Sequence, residues 1–115
     1  MKFDVTLAPT HLNDVPELAR QVEQYGFSGL WTSETAHNPF LPLTLAATTT
    51  QKIHLGTSIA VAFPRSPMVT AQLAWDLAAQ SDGRFILGLG TQVKAHITKR
   101  FSTSWDAPAS RMREY

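Results

Sequence analysis

Side chains that can transfer protons or hydrogen-bond a small molecule follow two strand-like segments of the sequence. Glu34 comes shortly after one apolar segment, and Gln92, Lys94 and His96 come shortly after another. Carboxylate and imidazole groups exchange protons in catalysis, whereas amide and ammonium groups bind the polar or anionic parts of a ligand. These residue types predict a site for a small molecule, although Glu34 could instead simply begin the next helix.

Four short apolar segments predict strands, at residues 3–7, 27–31, 53–61 and 85–89. Helical segments separate them, and the strand starts lie 24, 26 and 32 residues apart. A repeat of this length holds one strand and one crossover helix, so we expect parallel strands with right-handed connections. The polar candidates should then lie together, because the carboxyl ends of parallel strands meet at one edge, where such folds bind ligands.

Short polar residues mark where the helices begin. We expect Asp14 to cap the first helix, with Glu17 three residues later completing a capping box. Asn38 and Ser66, each followed by a proline, predict the starts of the second and third helices. A last helix is expected to start near residue 107.

Further expectations concern a loop and two aromatic side chains. The segment between the fourth strand and the last helix is polar, which predicts a solvated loop that contains Lys94. We expect His54, inside the third strand, to be buried against the helices. Trp75 is expected to pack on the apolar side of the third helix.

The composition limits the kinds of protein that the chain can be. Its 115 residues suffice for one domain, residues 1–115, and 43% of them are hydrophobic, which is enough for a core. There is no cysteine, which excludes disulfides and thiolate metal ligands, and no metal site is predicted. The net charge of +1 gives no reason to expect nucleic acid or a membrane surface as a partner. With no segment typical of a signal peptide or membrane span, we expect a cytoplasmic protein.

Two architectures share this alternation of strands and helices, an open nucleotide-binding sheet and an eight-stranded barrel. A dinucleotide-binding sheet carries a Gly-x-Gly-x-x-Gly turn after its first strand. Here Gly88 and Gly90 follow the fourth strand, and Val93 holds the third glycine position. A flavodoxin-like nucleotide-binding domain would require a phosphate loop that the sequence lacks. A barrel needs about 250 residues, so four βα units form half of one and leave two strand edges and an inner face uncovered.

Three segments in the right order resemble the luciferase-like monooxygenase superfamily, in particular its F420-dependent oxidoreductase branch. They are GFSGLWTSE at residues 26–34, IHLGTSI at 53–59 followed by RSP at 65–67, and DGRFILGLG at 82–90. The resemblance covers nearly the whole chain. It implies an α/β fold made of the N-terminal four βα units of a (β/α)₈ TIM-type barrel, that is, a half-barrel.

The resemblance also implies a cofactor, the deazaflavin F420, and hydride transfer to or from a small organic substrate. Family members carry a non-prolyl cis peptide in a bulge of the third strand that backs the cofactor ring, and Ser58 and Ile59 occupy that position. Glu34 and His96 are implied as catalytic residues. The implied cofactor-binding residues are Thr57, Ser58, Ile59, Gly90, Gln92 and Lys94.

One departure from the family pattern leaves alternatives open. Thr35 stands where relatives often have a histidine after the acidic residue, and His37 is a candidate substitute. FMN is therefore an alternative cofactor, which would make the protein a luciferase-like monooxygenase. A third alternative is a non-catalytic half-barrel that associates with itself or with a complementing half. In each case we expect a homo-oligomer or a complementing half-barrel as the partner, with a small molecule as the ligand.

Overall fold

The strands and helices alternate along the chain as the sequence predicts. The structure, a computed structural model, describes all of residues 1–115. The strands are β1 (Asp4–Thr6), β2 (Gly29–Thr32), β3 (His54–Thr57), β4 (Ala60–Val61), β5 (Phe85–Ile86) and β6 (Leu89–Gly90). The helices are α1 (Val15–Gln24), α2 (Phe40–Thr49), α3 (Pro67–Gln80), α4 (Lys94–Arg100) and α5 (Pro108–Glu114), with a short 3₁₀ helix at Leu12–Asp14. None of the helices is both long and apolar enough to cross a membrane.

All strand pairs are parallel, which confirms the expected α/β class and is what a half-barrel requires. One sheet has the order β1-β2-β3-β5, and β4 pairs with β6 in a second, two-stranded sheet. The predicted third strand, residues 53–61, is therefore broken at residues 58–59, and the fourth is broken at 87–88. The two breaks lie beside each other, because Ala60 donates its amide to the Gly88 carbonyl at 2.8 Å.

The main core lies between one face of the four-stranded sheet and helices α1 to α3. Leu30 and Leu55 of neighbouring strands are fully buried there, and Val15, Ala19 and Leu43 cover them from the helices. Side chains alternate between the two faces of a strand, so Leu30 and Leu55 face the helices, whereas Trp31 and Gly56 face the other side. The spacing of apolar residues thus determines which face the helices cover.

The opposite face of the sheet is uncovered, and His54 lies on it. The expectation that His54 is buried against the helices was wrong, because it shares the strand phase of Gly56, and the ring of Trp31 lies against Gly56 on that face. The Trp31 indole donates to the Asp4 carboxylate at 3.0 Å. In a closed barrel this face would be the interior.

Trp75 was also expected to be packed, but its side chain is 78% exposed. Thr70 and Leu77 are the buried residues of α3. Successive residues of an α-helix turn by about 100°, so a residue two positions before Leu77 cannot share its buried side. Trp75 lies on the outer side of the helix for this reason.

The helices start where the sequence predicts, and the predicted side-chain caps formed in two of three cases. Ser66 Oγ accepts a hydrogen bond from the Val69 amide at 3.2 Å, and Asn38 Oδ1 accepts one from the Phe40 amide at 2.9 Å. The predicted capping box at Asp14 is absent, because Asp14 already has helical backbone angles in the 3₁₀ helix and its side chain caps nothing.

The predicted loop after the fourth strand was wrong, because residues 94–100 form helix α4. Its one buried side chain is Ile97, which joins Val61 and Phe63 in a second apolar cluster that Trp105 covers in part. A single buried residue gives no helical periodicity in the sequence. The helix depends on the cluster that it covers.

Two charged side chains hold the loop before β3 at the amino end of the sheet. The Arg84 guanidinium donates to the Ile53 and Thr50 carbonyls at 2.8 and 2.9 Å. From the other side, the Glu23 carboxylate accepts hydrogen bonds from the amides of Gln51 and Lys52 at 2.9 and 2.6 Å. These contacts connect α1, α2 and β5 to one loop, and their position away from the carboxyl edge indicates a role in stability.

The ionisation of Glu23 follows from these contacts. Burial by itself would raise the pKa of its carboxyl group. The hydrogen bonds from the Lys52, Gln51 and Ile53 amides, with the positive charge of Arg84 nearby, outweigh burial and hold the pKa of Glu23 below its ordinary value.

Replacing Glu23 with Gln should lower the free energy of unfolding by about 1 kcal/mol, less than the roughly 1.5–3 kcal/mol of hydrogen bonds to a charged group, because the carboxylate is partly solvated. Because the pKa of Glu23 is lower in the folded than in the unfolded chain, this stabilisation is present above the unfolded pKa and is lost as the pH falls through the folded pKa. Urea denaturation should therefore show a smaller difference between wild type and Glu23→Gln at about pH 3 than at about pH 7.

Glu17→Gln is the matched control, because Glu17 bonds only exposed side chains of its own helix, those of Arg20 and Gln21. It should change the free energy of unfolding by less than about 0.5 kcal/mol. Equal losses for the two variants would contradict a specific role for Glu23.

Candidate functional site

The break in the third strand lies at the carboxyl edge of the sheet and is bonded to the end of β2. Ser58 donates its amide to the Thr32 carbonyl at 2.7 Å, and its own carbonyl accepts from Ser33 Oγ at 2.7 Å. The Ile59 carbonyl accepts from the Glu34 amide at 3.1 Å. The Ser58–Ile59 peptide bond is cis, as the family resemblance implies. We call residues 58–59 the bulge.

On its other side the bulge is bonded to the break in the fourth strand. The Thr57 hydroxyl donates to the Gly88 carbonyl at 2.7 Å and accepts from the Gly88 amide at 2.9 Å. A Cβ on Gly88 would lie 2.0 Å from the Thr57 carbonyl oxygen. Glycine at residue 88 therefore allows the close approach of the two backbones, which explains one of the two glycines of the motif.

Glu34 is buried and paired, which its place at a strand end did not indicate. Its side chain forms two hydrogen bonds with the Arg65 guanidinium, both of 2.8 Å, and also accepts from the Val61 amide at 2.6 Å. Arg65 donates as well to the Val61 carbonyl at 3.0 Å. Both carboxylate oxygens thus have donors from this chain itself.

Arg65 is the residue of the candidate site that reasoning from the sequence missed. In the sequence Arg65 is the first residue of the RSP motif, and the motif by itself predicts no role for it. The available signal was its charge in an apolar stretch, since residues 59–64 are apolar and a buried cation requires an anionic partner. The Arg65 guanidinium also lies over the Phe40 ring, 5.3 Å from its centroid.

Gly90 at the end of β6 and three polar side chains after it continue the carboxyl edge. The Ile59 side chain lies directly over Gly90, where an added Cβ would be 2.9 Å from Ile59 Cδ1. Gln92 has a left-handed backbone conformation, with φ of 60°, and its side-chain oxygen lies 3.2 Å from Nδ1 of His96. Lys94 is exposed at the first position of α4.

The structure therefore arranges the candidate residues in groups. Ser58 and Ile59 lie together with Gly90, and Gln92 and His96 form a second, hydrogen-bonded pair. Glu34 is bonded to Arg65 instead of to His96. Roles in catalysis and cofactor binding for these residues stay predictions.

A cleft of about 600 Å³ opens at the same edge, between the end of β1 and the start of α2. Thr32 and Ser33 form part of its wall, and His37 lines it as well. The cleft lies beside the hydrogen bond from Ser33 to the bulge. His37 is thus near the site, on the side away from the fourth strand.

The chain belongs to the luciferase-like monooxygenase family, whose model matches residues 2–115. It is also similar to an uncharacterised protein from Mycobacterium tuberculosis, with 52% identity over 115 residues that cover 100% of this chain and 34% of the relative. The chain thus spans about a third of the length of that curated relative. The family predicted from the three motifs is confirmed.

Two solved structures share the fold. Coenzyme F420-dependent tetrahydromethanopterin reductase from Methanopyrus kandleri has a TM-score of 0.78 at 31% identity, over 93% of this chain and 31% of that one. The oxygenating constituent of 3,6-diketocamphane monooxygenase from Pseudomonas putida, solved with FMN, has a TM-score of 0.82 at 19% identity, over 99% and 38%. The second likeness concerns the fold alone.

Thr57→Val should lower the free energy of unfolding by about 1–3 kcal/mol. Valine has the same shape as threonine, but it leaves the partly buried backbone amide of Gly88 without a hydrogen-bond acceptor. Thr57→Ser keeps the hydroxyl and serves as the control, with a smaller loss from the missing methyl group. Thermal and urea denaturation measure both. If the valine variant is as stable as the serine variant, the Thr57 hydroxyl does not hold the two strand breaks together.

Proposed function

We propose that this chain forms the cofactor-supporting half of an oxidoreductase that transfers a hydride between F420 and a small organic substrate. The observation that carries the proposal is the bulge at the carboxyl edge. It is held on one side by Ser33 and Glu34, which follow β2, and on the other by Gly88 in the fourth strand. Ligands of barrel enzymes bind at this edge. The F420-dependent reductase from Methanopyrus kandleri, at 31% identity, supports this cofactor over others.

The residues present at the bulge fit a flat ring with one polar edge. The Ile59 side chain offers an apolar surface there, and glycine at residue 90 leaves the space in which that side chain lies. Gln92 and His96 follow directly and are both accessible to a ligand, the first half-buried and the second exposed. A deazaflavin ring has such a shape, with an apolar face and a polar edge.

Each group of residues would have a separate task. Thr57, Ser58, Ile59 and Gly90 would back the ring and exclude water from one side of it. Gln92 would orient His96 through their hydrogen bond, and His96 would hold or move a proton at its imidazole nitrogen. Lys94 at the start of α4 would pair with a phosphate of the cofactor. When bound, the cofactor supplies the hydride chemistry itself.

FMN is the alternative cofactor, with a monooxygenase as the corresponding activity. A monooxygenase of the same fold was solved with FMN, so the fold can hold that ring. Thr35, which stands where relatives often have a histidine, leaves this alternative open. The two rings differ in absorption and fluorescence, so binding of each can be measured separately.

Titration of the chain with F420 and with FMN, followed by ring fluorescence, tests the proposed function. We expect saturable binding of F420 that is at least about tenfold tighter than binding of FMN, a difference of about 1.4 kcal/mol. His96→Asn, which removes the imidazole, should weaken it by a few fold. Lys99→Gln, on the same helix, is the control and should leave it unchanged. Tighter binding of FMN would favour the monooxygenase, and no binding of either ring would refute both.

A second candidate function, self-association as a half-barrel, is favoured by the uncovered face of the sheet. Strands β1 and β5 each lack a neighbour on one side. Ile86 is 42% exposed on the face that a closed barrel would bury. Two copies, or a complementary half-barrel, would cover these edges and this face.

Size-exclusion chromatography with light scattering should show an assembly of at least two chains that dissociates on dilution. Ile86→Lys should shift the equilibrium towards monomer, because it places a charge on the uncovered face. Met68→Lys introduces the same charge on the outer side of α3, where the side chain is 67% exposed, and should have no effect. A monomer at every concentration would exclude self-association through this face.

A further inference from the structure

We propose that Arg65 and Glu34 are a positioning pair for the bulge, and that Glu34 therefore acts on the cofactor through the backbone instead of as a proton donor or acceptor. The inference rests on the proposed function, since it assigns two residues of the same site. It adds Arg65 to the site and changes the role that the sequence predicted for Glu34.

The pair bonds to the backbone of the bulge itself and of the strand that follows it. The Glu34 amide donates to the Ile59 carbonyl at 3.1 Å, and the Glu34 carboxylate accepts from the Val61 amide at 2.6 Å. Arg65 donates to the Val61 carbonyl at 3.0 Å while it holds both carboxylate oxygens at 2.8 Å. The end of β2 and the strand beyond the bulge are thus joined through one ion pair.

The pair is shielded from water, which makes its geometry strict. Only 6% of the Glu34 side-chain surface and 15% of the Arg65 side-chain surface are exposed to solvent. An ion pair of this kind favours one arrangement, because moving either partner leaves the other charge buried without compensation. The bidentate contact fixes the orientation of the guanidinium as well as its distance.

The same contacts argue against proton transfer by Glu34. Three N–H donors, two from Arg65 and one from the Val61 amide, point at its two oxygens. Only 6% of the Glu34 side chain is exposed, so its oxygens face donors of this chain instead of a ligand. His96, by contrast, is exposed, and its ring contacts only Gln92, so a ligand can reach its imidazole.

Arg84 provides a comparison within the chain. It is also half-buried and bonded to backbone carbonyls, those of Thr50 and Ile53, but it lies at the amino end of the sheet. Removing Arg84 should therefore weaken the fold and leave the carboxyl edge intact. Removing Arg65 should disturb the bulge itself.

The test compares Arg65→Met, Glu34→Gln, the double variant, Arg65→Lys and Arg84→Met in the full chain. Kd for F420 and FMN is measured by ring fluorescence, stability by thermal denaturation, and exchange of the Val61 and Glu34 amides by NMR. We expect Arg65→Met and Glu34→Gln each to raise Kd for the bound cofactor about tenfold, with no further rise in the double variant. Arg65→Lys, which keeps the charge, should recover part of the loss.

Arg84→Met should lower the melting temperature at least as much as Arg65→Met, with Kd within about twofold of wild type. Where hydride transfer is measurable, its rate should rise and fall with pH in Glu34→Gln as it does in wild type, so that each limb of the pH profile is kept. A limb that disappears in Glu34→Gln while Kd is unchanged would overturn the inference, because Glu34 would then titrate in the reaction. Additive effects of the two single variants on Kd would overturn it too.

The amide exchange separates this inference from the proposed function. If wild type binds neither F420 nor FMN, the proposed function fails. Faster exchange at Val61 and Glu34 in Arg65→Met, but not in Arg84→Met, would still support a pair that positions the bulge. Equal exchange in both variants would overturn the positioning role as well.

Discussion

The hydroxyl group of Thr57 joins two strand breaks on which the whole carboxyl edge depends. It donates to the Gly88 carbonyl and accepts from the Gly88 amide, so one side chain satisfies both backbone groups at a point where regular pairing stops. Before the break β3 pairs with β5, and after it β4 pairs with β6. Because backbone groups that are not paired are costly inside a fold, the two breaks must occur side by side.

The two ends of the sheet use arginine for different purposes. At the amino end Arg84, together with Glu23, holds the loop before β3 by binding its carbonyls and amides. At the carboxyl end Arg65, together with Glu34, holds the strand beyond the bulge. Both arrangements attach a charged side chain to the backbone. Only Arg65 and Glu34 lie at the end of the sheet where barrels of this kind bind ligands. Arg84 and Glu23 therefore stabilise the fold, whereas Arg65 and Glu34 shape the proposed site.

Much of the fold followed from local patterns. The strand spacing and the apolar segments predicted parallel strands, and the cap at Ser66 formed as expected because its side chain needs only its own helix. The failures were at residues whose environment is set elsewhere. Helix α4 forms because Ile97 reaches Val61 and Phe63 in a distant part of the chain, and His54 is exposed because of the face on which it lies.

The sequence by itself determined the family, the parallel α/β order and which residues lie at the ends of strands. These follow from short-range spacing, and three motifs were enough to identify them. Only the tertiary structure decided what those residues contact. Glu34 and Arg65 are 31 positions apart, and their pairing depends on where the bulge brings the end of β2. Contacts of this kind result from packing of the whole chain, so residue type and local spacing alone do not reveal them.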